Sequence, residues 1–170
     1  MKSGINQLES SDITKIRMTC VQVTVKEGET LIVKGEPSVD LYIVSCGSFK
    51  VYDDTLGEDF VHAILERGAI FGEMSFIDNT PRSASVKAIS DGVLLRMGRK
   101  EFDNLLASHP DTAMLFIFTL ARVITRRLRN VNLALRNMSF DEHDRDSEKV
   151  IREAITQMED AVHIELSEDP

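Results

Sequence analysis

The sequence predicts a mainly β fold with α-helices: an antiparallel β-roll, or jelly-roll-like barrel, flanked by an N-terminal helix and a long C-terminal dimerisation helix. Two observations lead to this fold class. At residues 21–97, short runs rich in β-branched and aromatic residues alternate with turn sequences at close spacing, as in rolls and barrels of antiparallel strands. After Lys100 the apolar residues instead recur at helical spacing.

Helical spacing also marks the N-terminus, where we expect a short helix at residues 5–18. Its apolar residues are Ile5, Leu8, Ile13 and Ile16. The runs that then indicate strands are VQVTV, TLIVK, LYIVS, FKVY, FVHAIL, SVKAI and VLLRM. The segments between them, such as KEGE, KGEPS, SCGS and DDTLGED, have the residue types of turns. The roll is therefore expected at about residues 20–98.

Two helices are predicted after the roll. A short one comes first, and a break at Pro110 separates it from a long helix at about residues 111–139. We expect residues 1–139 to form one domain. The remainder, 140–170, is an acidic tail in which an amphipathic helix at about 147–163 has one apolar stripe.

The long helix carries an a/d heptad seam, in which apolar residues alternate spacings of four and three. The seam residues are Ile117, Ala121, Ile124, Leu128, Val131, Leu135 and Met138. The seam predicts a two-helix interface, so we expect a homodimer joined by this helix. The alternative is a single helix that packs on its own roll. The arginines at 122, 126, 127, 129 and 136 indicate a solvated face, since no aromatic residues interleave with them.

Charge and composition argue against several classes of function. The 170 residues carry a formal net charge of -8 at pH 7, which opposes general binding to nucleic acid or to an anionic membrane, so we expect neither partner. Cys20 and Cys46 match no metal spacing and no leading apolar segment is present, which indicates a cytoplasmic protein. The histidines are isolated and no nucleophile has an evident base. We therefore expect no enzyme activity, no metal and no cofactor.

One stretch, FGEMSFIDNTPRSASV at residues 71–86, combines the features of an anion site. A glycine precedes one expected helical turn at 73–77, and the start of such a turn presents backbone N–H groups that bind phosphate. Arg82, after the Asp-Asn-Thr-Pro reversal, can add a charge-assisted grip on two phosphate oxygens. Glu73 cannot bind phosphate but can accept a hydrogen bond from a hydroxyl. The pair suits a ligand in which a phosphate lies beside a sugar.

This stretch resembles the phosphate-binding cassette of the cyclic nucleotide-binding domain family, the family of the bacterial catabolite activator and the regulatory subunits of cyclic-AMP-dependent kinase. Further matches occur in the order and spacing typical of that family: Gly28-Glu29, Gly35-Glu36, Asp40-Leu41-Tyr42-Ile43-Val44 and Gly47. The resemblance covers residues of about 20–138. It implies a regulatory domain at 1–139 that binds cyclic AMP or cyclic GMP and relays its occupancy through the C-terminal helices to a partner.

The resemblance also assigns ligand-binding roles position by position. Glu73 is implied to bind the ribose 2′-hydroxyl, and Arg82 is implied to bind the cyclic phosphate. The residues implied to support the phosphate, through backbone N–H groups or a hydroxyl, are Gly72, Met74, Ser75 and Ser83. Val51 and Leu65 fall where the family lines its base pocket with apolar side chains. Asn132 falls where the long helix contacts the base, and from there it could reach a ligand held by the partner subunit.

Departures from the family pattern leave alternatives open. In the catabolite activator a DNA-reading domain follows the long helix, whereas this tail is short and acidic, so direct DNA contact is not expected. Val131 can neither donate nor accept where the family offers a hydroxyl to the base, which leaves cyclic AMP and cyclic GMP both open. The alternative function is a ligand-free dimerisation or interaction module with a degenerate fold, in which Glu73 and Arg82 only pair with each other. We expect the tail stripe to pack on the chain's own roll or in the dimer, or else to dock to a regulated partner.

Overall fold

The computed structural model describes residues 8–53 and 60–138. The helices in these residues are α1 (Ser10–Thr19), α2 (Glu73–Asp78), α3 (Arg99–Ser108) and α4 (Pro110–Met138). The strands are β1 (Val21–Val25), β2 (Thr30–Ile32), β3 (Leu41–Cys46), β4 (Phe49–Asp53), β5 (Phe60–Leu65), β6 (Ile70–Phe71), β7 (Ser85–Ala88) and β8 (Gly92–Met97).

The strands form two four-stranded antiparallel sheets, with the orders β1-β8-β3-β6 and β2-β7-β4-β5. Both sheets contribute to the first hydrophobic core: Val25, Ile32, Val44, Phe49, Leu65, Phe71, Val86, Ala88 and Leu94. Burying one such large apolar side chain stabilises the fold by about 1.5–3 kcal/mol. The sheets and the long C-terminal helix confirm the predicted fold class.

The structure departs from the strand prediction by more than one residue in two places. The structure adds β6, whose two residues are too few to show the alternation that marks a strand in sequence; pairing with Tyr42 and Ile43 of β3 makes them extended. Strand β2 ends at Ile32, before the end of the predicted TLIVK run. Its backbone leaves the ladder because the N–H of Lys34 donates to Ser85 Oγ at 3.0 Å.

A second core packs the helices against the roll. Its buried members are Ile16, Leu41, Phe76, Met97, Leu105, Ala113, Phe116 and Leu120. Strand β3 serves both cores, because Leu41 faces the helices whereas Val44 faces the inside of the roll, as alternating strand residues must. Helix α2 therefore lies between the roll and α3, with Phe76 only 1% exposed.

The N-terminal helix begins later than the sequence predicts. Residues 5–7 lie outside the described part of the chain, and α1 starts at Ser10. The start is fixed at Glu9, whose carbonyl accepts from the N–H groups of Asp12 and Ile13 and whose own N–H donates to Asp12 Oδ2 at 3.1 Å. Asp12 also ties α1 to α4, because Thr112 Oγ1 donates to Asp12 Oδ1 at 2.7 Å in a buried contact.

The chain divides into two compact units after Thr125, and α4 contains residues of both. In the first unit its buried face consists of Thr112, Ala113, Phe116 and Leu120. The large apolar residues of the same unit that remain exposed on α4 are Met114, Ile117 and Phe118, at 46%, 37% and 51%.

In the second unit the structure describes the helix up to Met138. There the seam residues Leu128 and Val131 are 48% and 54% exposed. The tail at 140–170, with its predicted helix at 147–163, lies outside the described residues. None of the described helices combines the length and apolarity needed to cross a bilayer.

The contact between Thr112 and Asp12 gives a test of how the helices hold together. The Thr112 hydroxyl, followed by the Glu9 backbone N–H, lowers the pKa of Asp12 below its ordinary value. Thr112→Val should reduce the free energy of unfolding at pH 7 by about 1–2 kcal/mol, because a buried carboxylate loses a donor. Thr125→Val is the matched control, since Thr125 is exposed and donates only to Ala121 in its own helix.

The stability difference between wild type and Thr112→Val should also depend on pH, in a direction that the lowered pKa of Asp12 fixes. A carboxyl whose pKa is lowered by folding stabilises the protein above its unfolded pKa, about 4. That stability is lost as the pH falls through the lower, folded pKa. The difference between wild type and Thr112→Val should therefore shrink in acid, as followed by urea unfolding from pH 7 to pH 2. A difference that is the same at every pH would contradict this account.

Candidate ligand-binding site

Gly72 is the N-cap residue of α2. Its φ of 76° and ψ of 9° place it in the left-handed region, where it precedes the first helical residue, Glu73. A Cβ at Gly72 would lie 2.7 Å from Arg82 Nη1 and 2.8 Å from the carbonyl oxygen of Asp40. Both the backbone conformation and the space therefore require glycine here.

The backbone of Arg82 is fixed by the turn after β2. Its N–H donates to the carbonyl of Glu36 at 3.0 Å, and its own carbonyl accepts from the N–H of Gly35 at 2.8 Å. The Gly35-Glu36 pair of the sequence motif thus sets the position from which Arg82 enters the site. The motif at 35–36 and the cassette at 71–86 are two parts of one structure.

The side chain of Arg82 is buried, at 4% exposure, and its guanidinium makes three hydrogen bonds. Nε donates to Ser38 Oγ at 2.8 Å, Nη1 donates to the carbonyl of Gly72 at 3.2 Å, and Nη2 donates to the carbonyl of Asp40. All three acceptors are neutral oxygens. In the ranges 8–53 and 60–138, no carboxylate oxygen lies within ion-pair distance, 4.0 Å, of this guanidinium.

Burial dominates the electrostatics of Arg82. Desolvation lowers its pKa, and the more distant charges that raise the pKa, among them those of Asp40 and Glu73, do not offset this effect. A guanidinium stays protonated in proteins because its ordinary pKa lies far above neutral pH. The site therefore holds a buried positive charge that lacks a close negative one among the described groups.

Glu73, Ser75 and Ser83 come to the same region from two segments. Glu73 and Ser75, in the first turn of α2, are each 2% exposed. Ser83 is exposed, and its Oγ lies 3.9 Å from the sulfur of Met74. The helical turn predicted at 73–77 is α2, so the N–H groups of its first turn point away from the helix body. The structure thus brings residues 72–75 together with Arg82 and Ser83.

The three remaining predicted site residues lie elsewhere. Leu65 is a member of the roll core at 6% exposure, and Val51 packs against that core from β4. Asn132 is exposed on α4 in the second unit of the chain. Their roles toward a base remain predictions.

Sequence reasoning missed Ser38 and the part played by Asp40. Ser38 lies in an irregular segment of ordinary composition between β2 and β3, so nothing local distinguishes it from other loop serines. Asp40 belongs to the matched motif, but its use is specific to the fold: its carbonyl accepts from Arg82, while its carboxylate accepts from Arg96 Nη1 at 2.8 Å. This ion pair fixes the residue whose backbone orients Arg82.

Comparison with known proteins identifies the family of this chain. A sequence model described as the cyclic nucleotide-binding domain matches residues 22–109. The cyclic AMP receptor protein of Thermus thermophilus is 34% identical over 117 residues, which cover 68% of this chain and 52% of that protein. This chain thus spans about half the length of that relative.

Solved structures give the same result. The crystal structure of Thermus thermophilus catabolite activator protein has a TM-score of 0.67 and 30% identity, over 78% of this chain and 61% of that one. The regulatory domain of Toxoplasma gondii PKA, crystallised with cAMP, has a TM-score of 0.52 and 28% identity, over 58% of this chain and 38% of that one. With the family model matching more than half of its residues and with this fold, the chain belongs to the cyclic nucleotide-binding domain family.

Proposed function

We propose that this chain is a regulatory module that binds a cyclic nucleotide, cyclic AMP or cyclic GMP, through Arg82 and Glu73. The observation that carries the proposal is the buried Arg82 guanidinium, which has no carboxylate at ion-pair distance in the described residues. Burying a charge without a partner is costly. A cyclic phosphate diester supplies one negative charge and two unesterified oxygens, which meets this need.

Arg82 has N–H groups that its hydrogen bonds to the described residues do not use. A guanidinium has five N–H groups, and the hydrogen bonds to Ser38, Gly72 and Asp40 use three of them. The remaining two are available to phosphate oxygens. Because the three protein acceptors hold the plane of the guanidinium, little side-chain freedom is lost when an anion binds.

We propose roles for the other site residues from their positions relative to Arg82. Backbone N–H groups of Gly72, Met74 and Ser75, with the hydroxyl of Ser83, would add donors to the phosphate. The buried carboxylate of Glu73 would accept from the ribose 2′-hydroxyl. The residues proposed for the base are Val51, Leu65 and Asn132. Cyclic AMP is the first candidate, because the relatives include a cyclic AMP receptor protein and a regulatory domain crystallised with cAMP.

A direct test compares ligands on the wild-type protein. A ligand that binds only the native state raises the unfolding midpoint by mass action. Cyclic AMP or cyclic GMP should raise the midpoint and give a binding isotherm in calorimetry, whereas adenosine, which lacks phosphate, should do neither. If neither cyclic nucleotide binds, the alternative of a ligand-free dimerisation module is favoured instead.

The relay of occupancy to a partner would pass through α4, and we propose that this helix joins two copies of the chain. The exposed Met114, Ile117 and Phe118 form an apolar face on its first half. The seam continues through Leu128 and Val131, which are about half exposed. Pairing two such helices would remove this surface from water.

Leu128→Glu should convert the dimer into a monomer, because a carboxylate would lie unpaired between two apolar surfaces. Leu133→Glu is the matched control: Leu133 is 57% exposed on the same helix but lies outside the seam, so this variant should remain a dimer. Light scattering at micromolar concentration measures both. A wild-type monomer, or the same mass for wild type and Leu128→Glu, would contradict the proposed interface.

A further inference from the structure

The C-terminal end of α2 is held by one side chain of α3. Arg99 is the first residue of α3, and its Nη2 donates to the carbonyl of Phe76 at 2.8 Å and to Asn79 Oδ1 at 3.1 Å. Asn79 is the residue that ends α2, with a left-handed φ of 57°. The last carbonyls of a helix lack partners within the helix. Arg99 supplies one of them with a charged donor.

The same guanidinium also lies over the ring of Phe76. Its central carbon is 5.1 Å from the ring centroid, within the range of a cation–π contact. Phe76 is only 1% exposed and lies edge-on to Phe102 of α3, with ring centroids 5.6 Å apart. Arg99 thus fixes both the backbone and the side chain of the last turn of α2.

We propose that Arg99 is a positioning residue that couples the candidate ligand site to α3. Helix α2 is only six residues long. It carries Glu73 and Ser75 at one end and the Arg99 contacts at the other, so a shift of its first turn on ligand binding moves its last carbonyls as well. Arg99 passes that shift to the first residue of α3. This inference rests on the proposed function, because it presupposes a ligand at Arg82 and Glu73.

The direction of the coupling follows from the chain order. Helix α3 ends at Ser108, and α4 begins at Pro110, after His109 alone. A movement at the start of α3 therefore reaches the helix that carries the exposed Met114, Ile117 and Phe118. Because Arg99 itself is exposed, its contacts add little to global stability. Its removal should alter the response of α3 more than the folding of the domain.

Hydrogen exchange followed by mass spectrometry tests this coupling in two arms. The variants are Arg99→Ala, Arg99→Lys and Asn79→Gly, which keeps the left-handed backbone but removes the Oδ1 acceptor. Lys100→Ala is the matched control, since Lys100 is the exposed neighbour on the same helix. Without nucleotide, Arg99→Ala should make amides at 76–80 exchange several times faster than in wild type or Lys100→Ala. Arg99→Lys and Asn79→Gly should lie between.

With saturating cyclic AMP or cyclic GMP, the wild type should show slower exchange at both 72–80 and 99–108. In Arg99→Ala the nucleotide should still protect 72–80, whereas protection of 99–108 should be lost. A merely structural role would lower the unfolding midpoint and leave the ligand response of 99–108 intact.

The outcomes separate this proposal from the function on which it rests. Unchanged exchange at 76–80 in Arg99→Ala would show that Arg99 does not hold α2, and equal protection of 99–108 in both proteins would show that it does not couple. Either result overturns the inference. A wild type that binds neither nucleotide would overturn the proposed function, and the coupling with it, while the ligand-free arm still decides whether Arg99 holds α2.

Discussion

Arg82→Ala should lower cyclic nucleotide affinity by about 2–5 kcal/mol, which is roughly 30-fold to several thousand-fold in Kd. The loss is large because the proposed phosphate would stay buried with no charge to balance it. Calorimetry at fixed ionic strength measures the change. The unfolding midpoint is recorded as well, since Ser38 and two backbone carbonyls lose their donor.

Two further variants isolate the contribution of the guanidinium. Arg82→Lys keeps the positive charge but cannot reach three acceptors in one plane, so its affinity should lie between those of wild type and Arg82→Ala. Arg67→Ala removes an exposed arginine in the turn before β6 and should bind as wild type does. Equal affinity for wild type and Arg82→Ala would show that the phosphate does not lie at Arg82.

Gly72→Ala should impair both folding and binding. A non-glycine residue in the left-handed region costs about 1–2 kcal/mol. The added Cβ would also overlap Arg82 Nη1 and the carbonyl of Asp40, and only the arginine can move away. We expect the free energy of unfolding to fall by about 1–3 kcal/mol and cyclic nucleotide affinity to fall by at least about tenfold.

Gly68→Ala is the control that separates the cost of a left-handed backbone from the cost of steric overlap by the added Cβ. Gly68 has a similar φ of 87°, but a Cβ there would meet no atom within 4 Å. The Gly68→Ala variant should lose stability only because alanine disfavours the left-handed backbone, and it should bind nucleotide as wild type does. If Gly72→Ala keeps wild-type affinity, then the contact of Gly72 with Arg82 does not shape the site.

Local patterns predict most of the fold because they report on burial within one element. The run VQVTV is β1 and FVHAIL is β5, since alternating or β-branched residues show both the period and the length of a strand. Strand β6 could not be predicted, because two residues have no period and only pairing with β3 makes them extended. The start of α1 depends on Asp12, whose partner Thr112 is 100 residues away.

The site, like the fold, has one part that local sequence predicts and another part that depends on distant contacts. Gly72, Glu73 and Arg82 fall within one stretch of sequence, so their residue types and spacing are enough to indicate an anion site. The contacts that orient Arg82 come from Ser38 and the backbone of Asp40, more than forty residues earlier. Arg99 belongs to another helix altogether. These partners are set by how the strands and helices pack, and a loop serine or an arginine at the start of a helix gives no separate signal in the sequence.

The long separation along the chain between Arg82 and two of its three acceptors has a consequence for folding kinetics. Ser38 lies 44 residues from Arg82 along the chain and Asp40 lies 42. Contacts between such distant residues form only after the intervening loops have closed, so we expect them to form after the folding transition state. A nucleotide that needs this arrangement binds the native state but not the folding transition state. Bound ligand should therefore slow unfolding in proportion to its affinity while the refolding rate stays the same.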